Sequence, residues 1–378
     1  MTGSPTALRV GVDARSLLRR HPRGEGKTLH QLYKHLVAQR PDWQVTFFGD
    51  EHAADAGMDL PAGVQCASMT LPGNRHHSWE NLCVPLMALR ARCHVLHFAG
   101  SLGPRWSPVP SVLTVHDLIP VVADDGVGAG FQEAFLRRLR NGLRHARQVI
   151  AVSENTRRDL LRTLPDIRAN INVVHWGAGG PESLPLSNPG SPTFEGPAAP
   201  YIMAFGGEAP RKNTSYVLDR FAAVAARLPS LHLVLAGVTG ERERQAISAV
   251  MSNARLDSRV HMPGFVSEAE LDMLLRRARV LFYPSLYEGF GMPVLEAIER
   301  GVPVVASALS SIPEILLDVP GCFDLAGTAA IEDALVKLAS DDAHRADWVE
   351  RQRCVLPRFS WDETARKTAA LLELAARH

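Results

Sequence analysis

Short apolar runs alternate with amphipathic stretches along nearly the whole chain. Leu8 to Val12 predicts a first strand, ending at Asp13. After a polar loop, Leu29, Leu32, Tyr33, Leu36 and Val37 fall at helical spacing and give one apolar face. Gln44 to Phe48 predicts a second strand, and Trp79 to Leu89 a helix of mixed polarity. His94 to Phe98, Ser111 to Val115 and Gln148 to Val152 predict further strands. A helix from about Phe131 to Arg147 precedes the last of these, another follows it with Ser153 as N-cap, and Ile171 to His175 closes the half. Gly177 to Pro200 is rich in Pro, Gly and Ser and has no period, so it reads as a linker.

The alternation restarts at Tyr201. Strands are predicted at Tyr201–Phe205, His232–Ala236, Arg259–Met262, Val280–Tyr283 and Val302–Ala306. Helices are predicted at about Thr214–Leu228, Glu241–Ala254, Ser267–Ala278 and Pro293–Arg300, the third opened by a Ser267/Glu270 capping box. The end is helical, over about Thr328–Ala339, Ala343–Cys354 and Trp361–Ala376. Strands separated by helices imply parallel sheets covered on both faces. The expected architecture is therefore α/β, with two doubly wound, Rossmann-like domains facing across a cleft. Residues 1–190 form the first, 198–357 the second, and the helix of 358–378 is expected to cross back to the first. Ligands of such sheets bind beyond the carboxyl ends of the strands.

The most informative stretch lies beyond one such end. After Arg279 to Tyr283, Pro284 stops the strand, Gly289 and Gly291 flank Phe290 in a turn, and Pro293 suits a first helical turn. A helix start with free N–H groups favours phosphate. Glu288 and Glu296 bracket it. Arg211-Lys212-Asn213 follows the strand Tyr201–Phe205 and the Gly206-Gly207 turn. Two cations there suit a diphosphate, with Asn213 as N-cap of the next helix; the plain reading is a solvated surface pair. His116-Asp117 also follows a strand. The imidazole there either meets a substrate hydroxyl or sugar, or forms a structural pair with the aspartate.

Composition narrows the class. The chain has 378 residues, 46% hydrophobic and 21% charged, with a net charge of +1. This is ordinary for a soluble globular protein and argues against a dedicated nucleic-acid surface. Five scattered cysteines with no C-x-x-C pair give no disulfide framework or zinc site. Met1 to Thr6 lacks the apolar run of a signal peptide, and no stretch reaches about 18 apolar residues, so the expected home is the cytoplasm. No G-x-G-x-x-G follows the first strand, which speaks against a nicotinamide dehydrogenase. Gly24-Glu25-Gly26-Lys27-Thr28 imitates a phosphate loop, but His21 stands where the full pattern needs glycine. No Asp-x-Asp offers to hold a divalent ion, and His76 and His77 lack ligand partners at useful spacing. The segment Phe131 to Arg147 sets Arg137, Arg138, Arg140, Arg144 and Arg147 around an apolar face of Phe135, Leu139, Leu143 and Ala146. It is either a solvated helix face or an attachment to an anionic membrane or lipid-linked phosphate.

Taken in order, these segments resemble the retaining glycosyltransferases of family 4, which have the two-domain GT-B fold. The resemblance rests on Glu288 and Glu296 as the E-x7-E element within Tyr-Glu-Gly-Phe-Gly-Met-Pro-Val-Leu-Glu-Ala, followed by Gly-Val-Pro-Val-Val-Ala-Ser (301–307) and Ser-Ser-Ile-Pro-Glu (310–314). Gly-Gly-Glu-Ala-Pro-Arg-Lys-Asn (206–213), Val-His-Asp-Leu-Ile-Pro (115–120) and Ala-Val-Ser-Glu-Asn-Thr (151–156) belong to it too. It spans the first strand to at least residue 320.

The resemblance implies roles. Arg211 and Lys212 would neutralise the leaving diphosphate, Glu288 would contact the donor sugar, and His116 would sit on the transferred sugar near the acceptor. These are the catalytic candidates. Glu296 would bind the donor ribose. Amides of Phe290, Gly291 and Met292 would face the sugar and phosphate, and those of Val294 and Leu295 the diphosphate. Val266 would contact the base through the main chain, and Gly207, Gly24 and Gly26 would line the donor site, although the residues around the last two match poorly. Asp117 would lie towards the acceptor. No metal or other cofactor is implied. The implied partners are a nucleotide-sugar and a glycan or polyprenyl-diphosphate-linked acceptor, with peripheral membrane contact through the helix of 131–147. The implied activity is sugar transfer with retention in polysaccharide assembly, with mannose from GDP-mannose as first choice. A sugar-nucleotide epimerase and a non-catalytic scaffold of the same fold are the alternatives.

Overall fold

The structure, a computed structural model, describes residues 7–18, 24–50, 60–69, 78–123, 125–179 and 194–377. His76, His77, His21 and residues 180–193 of the expected linker lie outside the described residues. The chain forms two compact units. One holds the first sheet and takes in the C-terminal segment from Phe359; the other holds the second sheet and takes in Ala123–Val127.

The first sheet contains β1 (Arg9–Asp13), β2 (Gln44–Gly49), β3 (Val64–Ser68), β4 (Val95–Phe98), β5 (Ser111–Val115), β6 (Gln148–Ala151) and β7 (Ile171–Val173) in the order β3-β2-β1-β4-β5-β6-β7. All pairs are parallel. Its helices are α1 (Gly24–Gln39), α2 (Val84–Arg90), α3 (Ile119–Val122), α4 (Ala129–His145) and α5 (Glu154–Thr163). The second sheet contains β8 (Tyr201–Phe205), β9 (His232–Ala236), β10 (Val260–Gly264), β11 (Val280–Tyr283), β12 (Val304–Ser307) and β13 (Cys322–Phe323) in the order β10-β9-β8-β11-β12-β13, again all parallel. Its helices are α6 (Thr214–Arg227), α7 (Glu241–Asn253), α8 (Glu268–Arg277), α9 (Met292–Glu299), α10 (Ile312–Ile315), α11 (Thr328–Ser340) and α12 (Asp342–Arg353). Each sheet reverses its strand order once, between β1 and β4 and between β8 and β11. Such switch points open a crevice at the carboxyl ends of the strands.

Central strands were legible because both faces are covered, so every position is buried and most are apolar. Two strands escape that rule. The edge strand β3 is Val-Gln-Cys-Ala-Ser with no buried position, and β13 has two residues. The helix predicted from Trp79 begins as a π-helical turn over Trp79–Cys83 and continues as α2, which carries Pro85. Proline lacks the N–H for an ordinary helical bond, which widens the preceding turn. The Gly24-Glu25-Gly26 segment is the first turn of α1 itself, not a loop ahead of it. Ser153 caps α5 through Thr156 N–H, and the Ser267/Glu270 capping box opens α8.

The last helix, α13 (Trp361–Ala376), packs on the first unit. Ala178 N–H donates to Phe359 O at 2.9 Å; His35 and Gln39 of α1 bond Asp362, and Arg40 just after it bonds Glu373. A Cβ on Gly177 would lie 2.3 Å from Trp361 N, so only glycine admits the helix here.

One buried polar chain crosses the first core. Tyr33 Oη meets His97 Nδ1 at 2.8 Å, and His97 Nε2 meets Thr114 Oγ1 at 2.8 Å. Burial, and secondly the neighbouring His116, push the His97 imidazole down to about 3. The ring is therefore neutral when folded and accepts a proton when unfolded below about pH 6.5. Its contribution to stability is present above that pH and is lost as pH falls towards 3. Wild type should lose stability relative to His97→Gln by up to ~1.4 kcal/mol per pH unit across that window, read by urea denaturation at several pH values. Parallel curves would remove His97 as the cause.

Candidate active site

The second unit gathers the charged groups at its switch point. Arg211 and Lys212 end a single 3-10 turn after β8, and Glu288 lies on the loop after β11. The two loops are stitched together. Leu286 N–H donates to Arg211 O at 2.8 Å, and Ser285 Oγ lies 3.0 Å from the same carbonyl, its one proton shared with Glu288 Oε1. Asn213 takes a left-handed conformation, φ +57°, and its side chain makes no cap on α6. Its amide instead donates to Pro284 O at 3.1 Å, a third stitch. Asn213 thus occupies the expected N-cap position, but its side chain serves the loop and not the helix.

One carboxylate oxygen organises the cluster. Glu288 Oε1 lies 2.7 Å from Tyr283 Oη, 2.8 Å from Lys212 Nζ, 2.8 Å from Ser285 Oγ and 3.3 Å from Arg211 Nη1. Arg211 Nε also meets Asp125 Oδ2 at 3.0 Å, from the Ala123–Val127 segment that joins this unit. Burial pushes the Glu288 carboxyl up, but Lys212 and Arg211 outweigh it and hold it below the usual carboxylate range. Burial alone would lower Arg211, yet Glu288 and Asp125 leave it raised. Arg211 thus stays charged, and Glu288 positions both cations. Tyr283, Ser285 and Asp125 were not singled out in the sequence. Tyr283 looks there like the last apolar residue of a strand, and Asp125 lies 86 positions from its partner.

The glycine turn is held from below. Ser310 Oγ accepts from Glu288 N–H at 3.0 Å, while Ser311 Oγ shares its one proton between Phe290 O at 2.8 Å and Glu288 O at 3.0 Å. Gly291 then takes φ +105° as N-cap of α9, and Met292 opens the helix. Phe290, Val294 and Leu295 are buried, and Glu296 is half-buried on α9. Val294 N–H donates to Gly291 O at 3.0 Å, so the amide expected to face a diphosphate is engaged in the helix. Gly207 follows Gly206, whose N–H donates to Ala236 O at 2.8 Å; Val266 lies half-buried between β10 and α8.

In the first unit, His116 follows β5. Its Nε2 lies 2.6 Å from Ala99 O and 3.8 Å from Glu25 Oε1, and its ring lies 5.6 Å from that of Trp176. A carbonyl only accepts, so the neutral ring carries its proton on Nε2. Asp117 Oδ1 accepts from Ile119 N–H at 2.9 Å and opens α3. Glu25, between Gly24 and Gly26, was missed as a partner of His116. Its carboxylate lies over Gly100, where an added Cβ would meet Oε1 at 2.7 Å. The basic helix α4 turns Leu139 and Leu143 into the core. Arg138 bonds Glu80 at 2.8 Å, and Arg140 and Arg144 each lie 3.4 Å from Asp166.

Comparison with known proteins agrees with this layout. Residues 22–178 match the family described as Glycosyltransferase Family 4, and residues 196–354 match Glycosyl transferases group 1. The alpha-maltose-1-phosphate synthase of Mycolicibacterium smegmatis is 30% identical over 296 residues, 71% of this chain and 74% of that one. The O-antigen chain mannosyltransferase B of Escherichia coli is 26% identical over 240 residues, 61% of this chain, and the match spans only 62% of that relative's length. Among solved structures, sucrose-phosphate synthase from Thermosynechococcus elongatus superposes with a TM-score of 0.71 at 18% identity, covering 97% of this chain and 98% of that one. The chain belongs to the family 4 glycosyltransferases and has the GT-B fold.

Proposed function

We propose that this enzyme takes a sugar from a nucleotide-sugar donor, mannose from GDP-mannose as first choice, and transfers it with retention to a growing glycan or polyprenyl-diphosphate-linked acceptor. The observation that carries the reading is the Arg211–Lys212–Glu288 cluster at the switch point of the second unit. Breaking a sugar–diphosphate bond develops negative charge on the leaving phosphate, and preorganised cations in a dry site lower that barrier. Arg211 offers a fork of donors and Lys212 a compact charge. The start of α9 after Gly291 adds the positive end of a helix. In this reading Glu296 takes the ribose, Val266 the base, and Glu288 exchanges its cations for contact with the sugar when the diphosphate arrives. His116 in the first unit serves the sugar and acceptor, its ring held by Ala99 O and Glu25. No metal is required, because the two cations do the work of charge neutralisation. Mannose is favoured by the likeness to the E. coli O-antigen chain mannosyltransferase B.

A thermal-shift screen across GDP-, UDP- and dTDP-sugars tests the donor, and the largest upward shift is expected with GDP-mannose. A larger shift with a UDP- or dTDP-sugar would reassign it. NMR of the product linkage then tests retention, which an inverted anomer would rule out.

A further inference from the structure

Among the described residues, six that are not glycine have a left-handed backbone: Arg92, Ser101, Asn213, Arg255, Ser310 and Asp318. A side chain with Cβ enters that region at a cost, so each needs a local reason. Arg92 and Arg255 come directly after the C-caps of α2 and α7, where a left-handed residue is an ordinary helix stop. Asn213 and Asp318 are of the types enriched in the region. Ser101, at φ +59°, and Ser310, at φ +52°, fit neither case. Neither follows a helix, and serine is not an enriched type.

The two serines do the same thing in the same place. β4 ends at Phe98 and β12 at Ser307, so each serine is the third residue beyond a strand's carboxyl end. Ser101 Oγ accepts from the N–H of His116, which follows the neighbouring strand β5, at 3.0 Å. Ser310 Oγ accepts from the N–H of Glu288, on the loop after the neighbouring strand β11, at 3.0 Å. The carbonyls of the same two residues also meet hydroxyls. Thr156 Oγ1 donates to His116 O at 3.2 Å, and Ser311 Oγ lies 3.0 Å from Glu288 O. His116 and Glu288 lie outside the named strands and helices, where no regular ladder fixes a main chain. Hydroxyls from the next loop hold it instead, and in each unit the one on the amide comes from a left-handed serine.

We propose that Ser101 and Ser310 are positioning residues for sugar transfer. Each is kept in a costly backbone conformation so that its hydroxyl fixes the main chain of His116 or Glu288. This role rests on the reading of His116 and Glu288 proposed above, and in it neither serine touches the reacting atoms. A displaced main chain carries the imidazole or the carboxylate with it, and a shift of about 1 Å at a reacting centre can cost roughly a hundredfold in rate.

The test replaces Ser101 and Ser310, one at a time in the full chain, by glycine and by alanine. Both changes remove the acceptor of the amide, but only glycine also relieves the left-handed backbone. At each position the glycine variant should therefore melt higher than the alanine variant, while both lose kcat by about ten- to a hundredfold. Rates are read well below the lowest thermal midpoint. Arg255→Gly, at the far end of α7, relieves a left-handed residue without removing a hydroxyl; it should melt above wild type at unchanged kcat. A merely structural role ties kcat to the midpoint, so glycine variants that recover both together overturn the proposal. Equal midpoints for glycine and alanine overturn it too, because they remove the strain. So does a loss of kcat in Arg255→Gly as large as in the serine variants. If an alanine variant does not fold, its glycine counterpart carries the rate test, and wild-type kcat there overturns the proposal. Slow glycine variants beside a Lys212→Ala enzyme of wild-type rate would sink the reading of the Arg211–Lys212–Glu288 cluster and leave the serines standing. Glycine variants of wild-type rate beside a slow Lys212→Ala enzyme would do the reverse.

Discussion

Replacing Lys212 with alanine should lower kcat for sugar transfer by roughly a hundred- to a thousandfold, with a smaller change in donor KM. Lys212 Nζ sits 2.8 Å from Glu288 and 5.6 Å from the centre of the Tyr283 ring, which together fix a flexible side chain. That pre-positioning is what a leaving diphosphate would use. Charge on it grows towards the transition state, so the loss falls mainly on kcat. Lys212→Arg retains a cation and should recover part of the rate, which a merely structural role would not predict. The fold should survive, because Glu288 keeps Arg211, Tyr283 and Ser285. A second readout follows from linkage. The Glu288 carboxyl is held below its ordinary value, so its pairing stabilises the fold above the unfolded value of about 4.3 and is lost as pH falls through the lower, folded value. Without Lys212 that folded value rises and the acid-side gain shrinks. Steady-state kinetics with the donor found by the screen, and urea curves between neutral and acid pH, check both halves. Turnover within a few-fold of wild type would remove Lys212 from the mechanism.

Sequence and structure agree most closely where one local rule decides the answer. Buried parallel strands such as Tyr201–Phe205 and His232–Ala236 have bounds set by continuous apolar runs. Trp361–Ala376 is bounded as its helical period requires. Disagreement gathers where distant partners decide. Asn213 has the composition of an N-cap, but the loop carrying Pro284 offers its amide a carbonyl across 71 positions. Arg211, Lys212 and Glu288 were each legible as charged residues beyond strand ends. Their meeting on one oxygen was not, because 76 positions separate Lys212 from Glu288 and only the β8–β11 pairing closes that gap.

Gly291→Ala should cost about 2–5 kcal/mol of stability and raise donor KM together with it, because two separate penalties meet at one atom. The residue sits at φ +105°, outside the region that a side chain with Cβ favours. An added Cβ would also lie 2.6 Å from Ile312 Cδ1 and 3.3 Å from Ile315 Cδ1, both on buried side chains. Relief would need the buried Ile312 side chain to leave its rotamer or the Glu288–Phe290 loop to shift, and Ser310 and Ser311 hold that loop from the same side. Such a shift would move Glu288 off its four donors and tilt the start of α9 away from the phosphate it is proposed to face. The two penalties separate experimentally. Ile312→Val removes the Cδ1 atom, so the double variant Gly291→Ala/Ile312→Val should regain the steric part, about 1–3 kcal/mol, and keep the backbone part. Urea denaturation of wild type, both single variants and the double variant gives the coupling directly. Additive losses would show that Ile312 is not what excludes a side chain at 291. A stable Gly291→Ala enzyme with unchanged donor KM would show that the turn does not depend on glycine at all.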